Sequence, residues 1–275
     1  MDRQGTRTAR VVSGPQHVIP EERLPPGFAA GIDTPPSAPV EPRPAATVVL
    51  LRQRADTPEV FLLRRNRSSG FVPGAYVFPG GRVDPGDAHP SLAASASALP
   101  GLPAAPYWMA GVRETFEETG VLLAHFDGAT PTAADLSHWR DALLEDQATL
   151  HDVLEALNAR LDFGGVAHFA HWITPVAEPL RFDTRFFVAA LPRAAEATAD
   201  AREMSDALWI APAQALERFR AARLPMVFPT VHTLETLAQF ATVEEAVHTL
   251  RCRTVNSILP RLVRTDGGIG IVIED

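Results

Sequence analysis

Along this chain the apolar positions switch between a period of two and a period near 3.6, and the switches mark out its elements. AATVVLLR (45–52) and EVFLLRR (59–65) are short apolar, β-branched runs. The polar QRADTP between them predicts a hairpin. A third strand is expected at Ala75–Phe78, ended by Pro79-Gly80-Gly81. Residues 82–106 show no period and are rich in Ala, Pro, Gly and Ser, which reads as a loop. Tyr107–Glu118 turns helical and stops at Gly120. Apolar residues at 136, 139, 143, 150, 153, 154, 157 and 161 then predict two helices broken near Gln147. Strand-like runs follow at Phe169–Pro175, Phe182–Leu191 and Ala207–Ile210, and Pro212 opens another helix. Thr242 with Glu245 reads as a capping box, and a closing hairpin turns at Asp266-Gly267-Gly268. Interleaved strands and helices make the class α/β, with residues 45–275 as one domain carrying a C-terminal helical extension over 212–275. Residues 1–44 hold nine of the 25 prolines and are expected to form an irregular arm.

Composition narrows what such a domain does. Of 275 residues, 46% are apolar, the globular share, so disorder throughout is excluded. The 25 cations, all Arg, face 33 carboxylates, a net charge of −8 that argues against binding nucleic acid through bulk electrostatics. No run approaches the ~18 apolar residues of a membrane helix, and the first residues lack a secretory apolar core. The expectation is a cytoplasmic protein, monomer or homodimer, without membrane or nucleic-acid partners. Cys252, the single cysteine, is expected as a small core residue.

The chemistry concentrates in RETFEETG, residues 113–120. On a helix Glu114, Glu117 and Glu118 stand at i, i+3 and i+4, so three carboxylates project from one face and repel. A solvated acidic face is one reading. A hard divalent cation, which takes oxygen ligands and bridges to substrate phosphates, is the other. Upstream lies FPGGRVDPGD (78–87), where Gly80 and Gly81 let backbone approach a ligand closely.

Together these segments resemble the Nudix box, G-x5-E-x7-R-E-U-x-E-E-x-G-U, of the Nudix pyrophosphohydrolases. Gly81 starts it, and Arg113, Glu114, Phe116, Glu117, Glu118, Gly120 and Val121 complete it. Asp87 stands where the family has Glu, and 18 extra residues separate the two halves, giving an inserted loop at 88–106. LLRRNRSSGFVPGAYVFPGG (62–81) resembles the segment that marks coenzyme A diphosphatases, with Asn66 and Gly70 departing from it. The inserted loop, RFDTRFF and the C-terminal helices are similar to the acyl-CoA diphosphatase subgroup.

The resemblance implies an α/β/α sandwich with a mixed sheet. It further implies Mg²⁺ or Mn²⁺ held by Glu114, Glu117, Glu118 and the backbone of Gly81, with Arg113 orienting a box carboxylate. Glu203 is the candidate for a further Glu acting as general base or ligand. Arg64, Arg65 and Arg67, with Gly80, Gly81 and Arg181, are the expected substrate contacts, Arg being suited to phosphate. For Arg181 and Asp183 a purely structural pair is an equal alternative. His168 and His171 read as packing or surface residues. The implied reaction is hydrolysis of a diphosphate linkage in CoA or acyl-CoA, giving 3′,5′-ADP and (acyl-)phosphopantetheine. Competing readings are another dinucleotide, such as NADH or ADP-ribose, and a catalytically silent nucleotide-binding module.

Overall fold

The computed structural model describes residues 17–19, 32, 38–66, 73–92, 105–161, 164–193 and 196–273. They fall into two compact units, one built from residues 43–172 and 182–256, the other from 1–42, 173–181 and 257–275.

The larger unit is organised around a mixed sheet. Strand β2 (Arg43–Arg54) and β3 (Thr57–Arg65) form the expected hairpin, closed by Ala55-Asp56 with Ala55 at φ +47°. β4 (Tyr76–Val77) pairs with β3, and β5 (Gly80–Arg82) pairs with the start of β2. β8 (Val166–Ile173), β9 (Phe182–Leu191) and β10 (Met204–Ile210) complete it in the order β10-β3-β2-β9-β8, with β2 and β9 parallel. One face carries α1 (Ala105–Thr119), whose Gly111 rests against Val48, Ala46 and Phe187. The other face receives α4 (Pro212–Arg220) and α5 (Phe228–Leu237), where Phe228 meets Trp172 at 5.7 Å. This is the α/β/α sandwich implied by the sequence.

A second helical layer covers α1 on its far side. α2 (Ala133–Leu144) and α3 (Leu150–Ala156) open on reciprocal caps, Thr132 with Asp135 and Thr149 with Asp152. The break near Gln147 is made at Asp146, which adopts φ +55°. Phe116, Leu143 and Val153 form the seam between these helices and α1. α1 is therefore buried on both flanks, which is what desolvates its carboxylates. Leu161, expected on the second helix, lies instead on β7 (Ala159–Leu161), paired with β6 (Ala124–Phe126). Asn158 at φ +47° turns the chain out of the helix before that residue.

At α6 (Val243–Arg251) the expected capping box is half formed. Thr242 Oγ1 accepts from Glu245 N, but Glu245 Oε2 accepts from Ala241 N rather than from Thr242. Cys252 caps α6 and is exposed, correcting its expected burial: it sits two residues past the helix's last buried position, Leu250.

In the smaller unit β11 (Ser257–Ile258) precedes the terminal hairpin of β12 (Arg261–Thr265) and β13 (Gly268–Val272). β1 (His17–Ile19) adds antiparallel to β13, so the proline-rich arm contributes a strand that its local composition does not announce. Its partner lies at the far end of the chain. Among the described residues no helix is long and apolar enough to cross a membrane.

Candidate active site

The site is built where the two glycines that open β5 meet the C-terminal half of α1. Gly80 has φ +153°, open to glycine, and a Cβ there would overlap the Ala46 carbonyl. Its N–H donates to Glu118 Oε2 at 2.9 Å. A Cβ on Gly81 would overlap the Glu114 carboxylate, so the second glycine is the space that carboxylate occupies.

Arg113 is the node of the cluster. Its Nε and Nη2 donate to Asp87 Oδ1 and Oδ2 at 3.0 and 3.1 Å, a bidentate pair with a carboxylate that is 1% exposed. Its Nη1 donates to Glu114 Oε1 at 3.1 Å and Glu117 Oε2 at 3.0 Å, and Nη2 also reaches the Arg82 carbonyl. One guanidinium thereby fixes two glutamates. Asp87, in the 3₁₀ turn Pro85–Ala88, anchors it and accepts from Asp84 N at 2.8 Å. That gives Asp87 a positioning role despite its departure from the family pattern.

Burial raises the affinity of all three glutamates for protons. Glu114 is pushed up to about 7 by desolvation, against the pull of Arg113 and aided by the charge of Glu117. Glu117 is raised for the same reason, again against Arg113. Glu118 lies well above the carboxylate range, driven first by burial and then by the charge of Glu114, with the Gly80 N–H opposing. Glu203 pushes Glu118 the same way and Arg65 pulls it down, so both act on this carboxylate.

Backbone geometry explains how Glu203 and Arg65 come to the same place. Arg65 pairs with Met204 across β3 and β10, and Asn66 N donates to the Glu203 carbonyl at 3.0 Å. The segment before β10 also closes on the end of α1: Thr198 N donates to Thr119 O, and Asp200 N to Glu118 O. Arg140, not anticipated from sequence, donates to the Glu117 carbonyl at 2.8 Å and to Thr198 O at 3.2 Å. It is a cation on the helix's negative end.

Other expected contacts lie elsewhere. Arg64 and Arg65 are consecutive on a strand and so face opposite sides of the sheet. Arg64 donates to the Gly74 carbonyl and stands over the Tyr76 ring, whose hydroxyl donates to Asp206 at 2.7 Å. It is thus not brought to the glutamates, correcting its expected place beside Arg65. Arg181 belongs to the smaller unit, where it is buried and donates to the Thr174 and Val40 carbonyls. Its partners are backbone carbonyls, in place of the expected pairing with Asp183, which accepts from His171 instead. Arg67 and most of the inserted loop (93–104) lie outside the described residues.

No three acidic, His or Cys side chains gather into a ready metal cluster among the described residues. The donors still fit a hard cation. They are all oxygens, and ions such as Mg²⁺ are usually held by one or two carboxylates plus substrate phosphates. Repulsion of Glu118 by Glu114 and Glu203 is the strain that such an ion would relieve.

A family profile described as the NUDT19 Nudix domain matches residues 91–237. An acyl-coenzyme A diphosphatase NUDT19 of Gallus gallus is 28% identical over 239 residues, covering 68% of this chain and 63% of that protein. The Homo sapiens protein of that name is 27% identical over 266 residues, covering 79% and 68%. The chain thus spans about six tenths of the length of the first of these curated relatives. The crystal structure of a Nudix hydrolase from Alicyclobacillus acidocaldarius superposes with a TM-score of 0.68 at 30% identity, covering 79% of this chain and all of that one. With just over half of its residues matched by the profile and a solved relative aligned along its whole length, the chain belongs to the Nudix hydrolase family.

Proposed function

We propose that this protein is a cytoplasmic, metal-dependent diphosphatase that cleaves CoA or acyl-CoA into 3′,5′-ADP and (acyl-)phosphopantetheine. The observation that carries the reading is the desolvated glutamate cluster closed around Gly80 and Gly81. A binding module gains nothing from burying mutually repelling carboxylates. The CoA assignment leans on the resemblance of residues 62–81 and on relatives named as acyl-CoA diphosphatases.

Glu114, Glu117, Glu118 and the Gly81 backbone would hold Mg²⁺ or Mn²⁺. Such an ion supplies positive charge for the diphosphate oxygens and makes water more acidic. Arg113 keeps Glu114 and Glu117 aimed, and Gly80 N–H does so for Glu118. Glu203 would take the proton of the attacking water as it adds to phosphorus, and the P–O bond of the anhydride breaks towards the other phosphate. Arg65, on the same side as Glu118, offers a fork to the diphosphate.

A hydrolysis screen over CoA, acyl-CoAs, NADH, ADP-ribose and capped RNA, with products identified by mass, tests the reading. CoA and acyl-CoA should be cleaved at the diphosphate and cleavage should stop with EDTA. A higher kcat/KM for NADH or ADP-ribose, or no hydrolysis with Mg²⁺ or Mn²⁺, would overturn it.

A further inference from the structure

A second polar group stands on the same sheet face as the glutamates. Ala46 on β2 is register partner both of Gly81 on β5 and of Arg185 on β9. Gly81, Ala46 and Arg185 therefore form one row across three strands. At about 4.8 Å per strand, Arg185 starts about 10 Å from the glycine against which Glu114 rests. Along β9, Asp183 and Arg185 share the face of Phe187, which packs against α1.

Arg185 is held from three sides. Its Nη1 donates to His171 Nδ1 at 2.6 Å, so that nitrogen is a lone pair and the ring proton sits on Nε2. His171 Nε2 in turn donates to Asp183 Oδ1 at 2.6 Å. Tyr107 of α1 lies 5.1 Å beneath the guanidinium. This scaffold leaves the arginine incompletely used. Its Nε is buried and without a hydrogen-bond partner, being ion-paired with Asp183 Oδ1 at 3.6 Å, too long for a hydrogen bond. His168, on the same face beside Phe187, also has a buried Nε2 without a partner. A preorganised fork with spare donors is what recognition of a phosphate requires.

We infer that Arg185, positioned by His171 and Asp183, binds a phosphate monoester of the substrate that lies outside the scissile linkage. The row spacing suits a group across a ribose from the diphosphate, as in a nucleoside carrying both 5′ and 3′ phosphates. This rests on the diphosphatase reading and gives the third phosphate to Arg185, leaving Arg65 for the diphosphate.

Two paired measurements test it. The first compares kcat/KM for CoA and dephospho-CoA. The second compares calorimetric affinity for adenosine 3′,5′-bisphosphate and adenosine 5′-monophosphate in EDTA. The wild type should prefer the 3′-phosphorylated member of each pair by about 10–150-fold, chiefly through KM in the first. Arg185→Gln should bring both ratios close to one, and Arg185→Lys, which keeps the charge without the fork, should fall between. A wild type without preference, or ratios unchanged in both folded variants, would overturn the inference. If no diphosphate is cleaved, the functional reading falls while the binding pair still decides this one. If CoA is cleaved but the ratios ignore Arg185, only this inference falls. Thermal melts of each variant identify loss of fold, and Arg185→Lys then carries the test.

Discussion

Replacing Asp87 by Asn removes a charge from the least exposed carboxylate of the site while conserving its shape. Asp87 Oδ1 accepts from Arg113 Nε, and Oδ2 accepts from both Asp84 N and Arg113 Nη2. An Asn has one acceptor oxygen and one NH₂. If the oxygen takes the Oδ2 place, the NH₂ faces Arg113 Nε–H; if it is flipped, the NH₂ faces two donors. At least one hydrogen bond to a charged group is lost, at about 1.5–3 kcal/mol, and breaking a buried pair costs up to about 5 kcal/mol. For a domain of this size roughly 2–4 °C of Tm accompanies each kcal/mol, so the variant should melt about 3–20 °C lower. Asp84 is the internal control, being 51% exposed in its side chain and 3.4 Å from Arg113. Asp84→Asn should cost no more than about 1 kcal/mol. Circular-dichroism melts in EDTA compare the two. Equal melting of Asp87→Asn and wild type would refute the idea that this aspartate anchors Arg113.

Glu118→Gln should lower kcat at least ~10²-fold with saturating Mg²⁺. In EDTA it should melt no lower than wild type, because the buried charge is itself unfavourable; normal turnover would remove Glu118 from the reaction. Arg65→Gln should cut kcat/KM by about 10–150-fold for CoA and dephospho-CoA alike, while Arg64→Gln stays within about 3-fold. The reverse order would mean that Arg64, not Arg65, shares a face with the glutamates. Burial holds His168 down to about 4, so between pH 6.5 and 4 the unfolded chain takes a proton that the fold refuses. Its contribution is complete above pH 6.5 and is lost on acidification, by up to about 2 kcal/mol after allowing for its partial exposure. Urea midpoints at pH 7 and 5 should therefore diverge more for wild type than for His168→Gln, and parallel midpoints would count against it.

Local pattern made most strands and helices of the larger unit legible, because each is long enough for its period to show. β9 begins and ends where its apolar run does, and α1 stops one residue before Gly120. What escaped the sequence is what depends on distant pairing. The strand His17–Ile19 has no periodic signal, since its partner is 250 residues away. Arg64 and Arg65 looked like one cationic cluster, yet the alternation of a strand divides them, a rule that could have been applied at once. The Arg185, His171 and Asp183 group could not be foreseen, because β8 and β9 must first be laid side by side. Asp87 was hidden by the insertion that separates it from Arg113 in sequence, whereas in the fold they are in contact.

The bond from Asp200 N to the carbonyl of Glu118 ties the chain before β10 to the residue whose side chain faces Gly80. A single amide proton is thus a clock on the acidic end of the helix. While the bond is closed that proton is shielded from solvent deuterium, and it exchanges when the segment from 196 to 203 lifts away. Glu203 rides on that segment, so exchange at Asp200 reports on how readily the proposed general base can move away from Glu118.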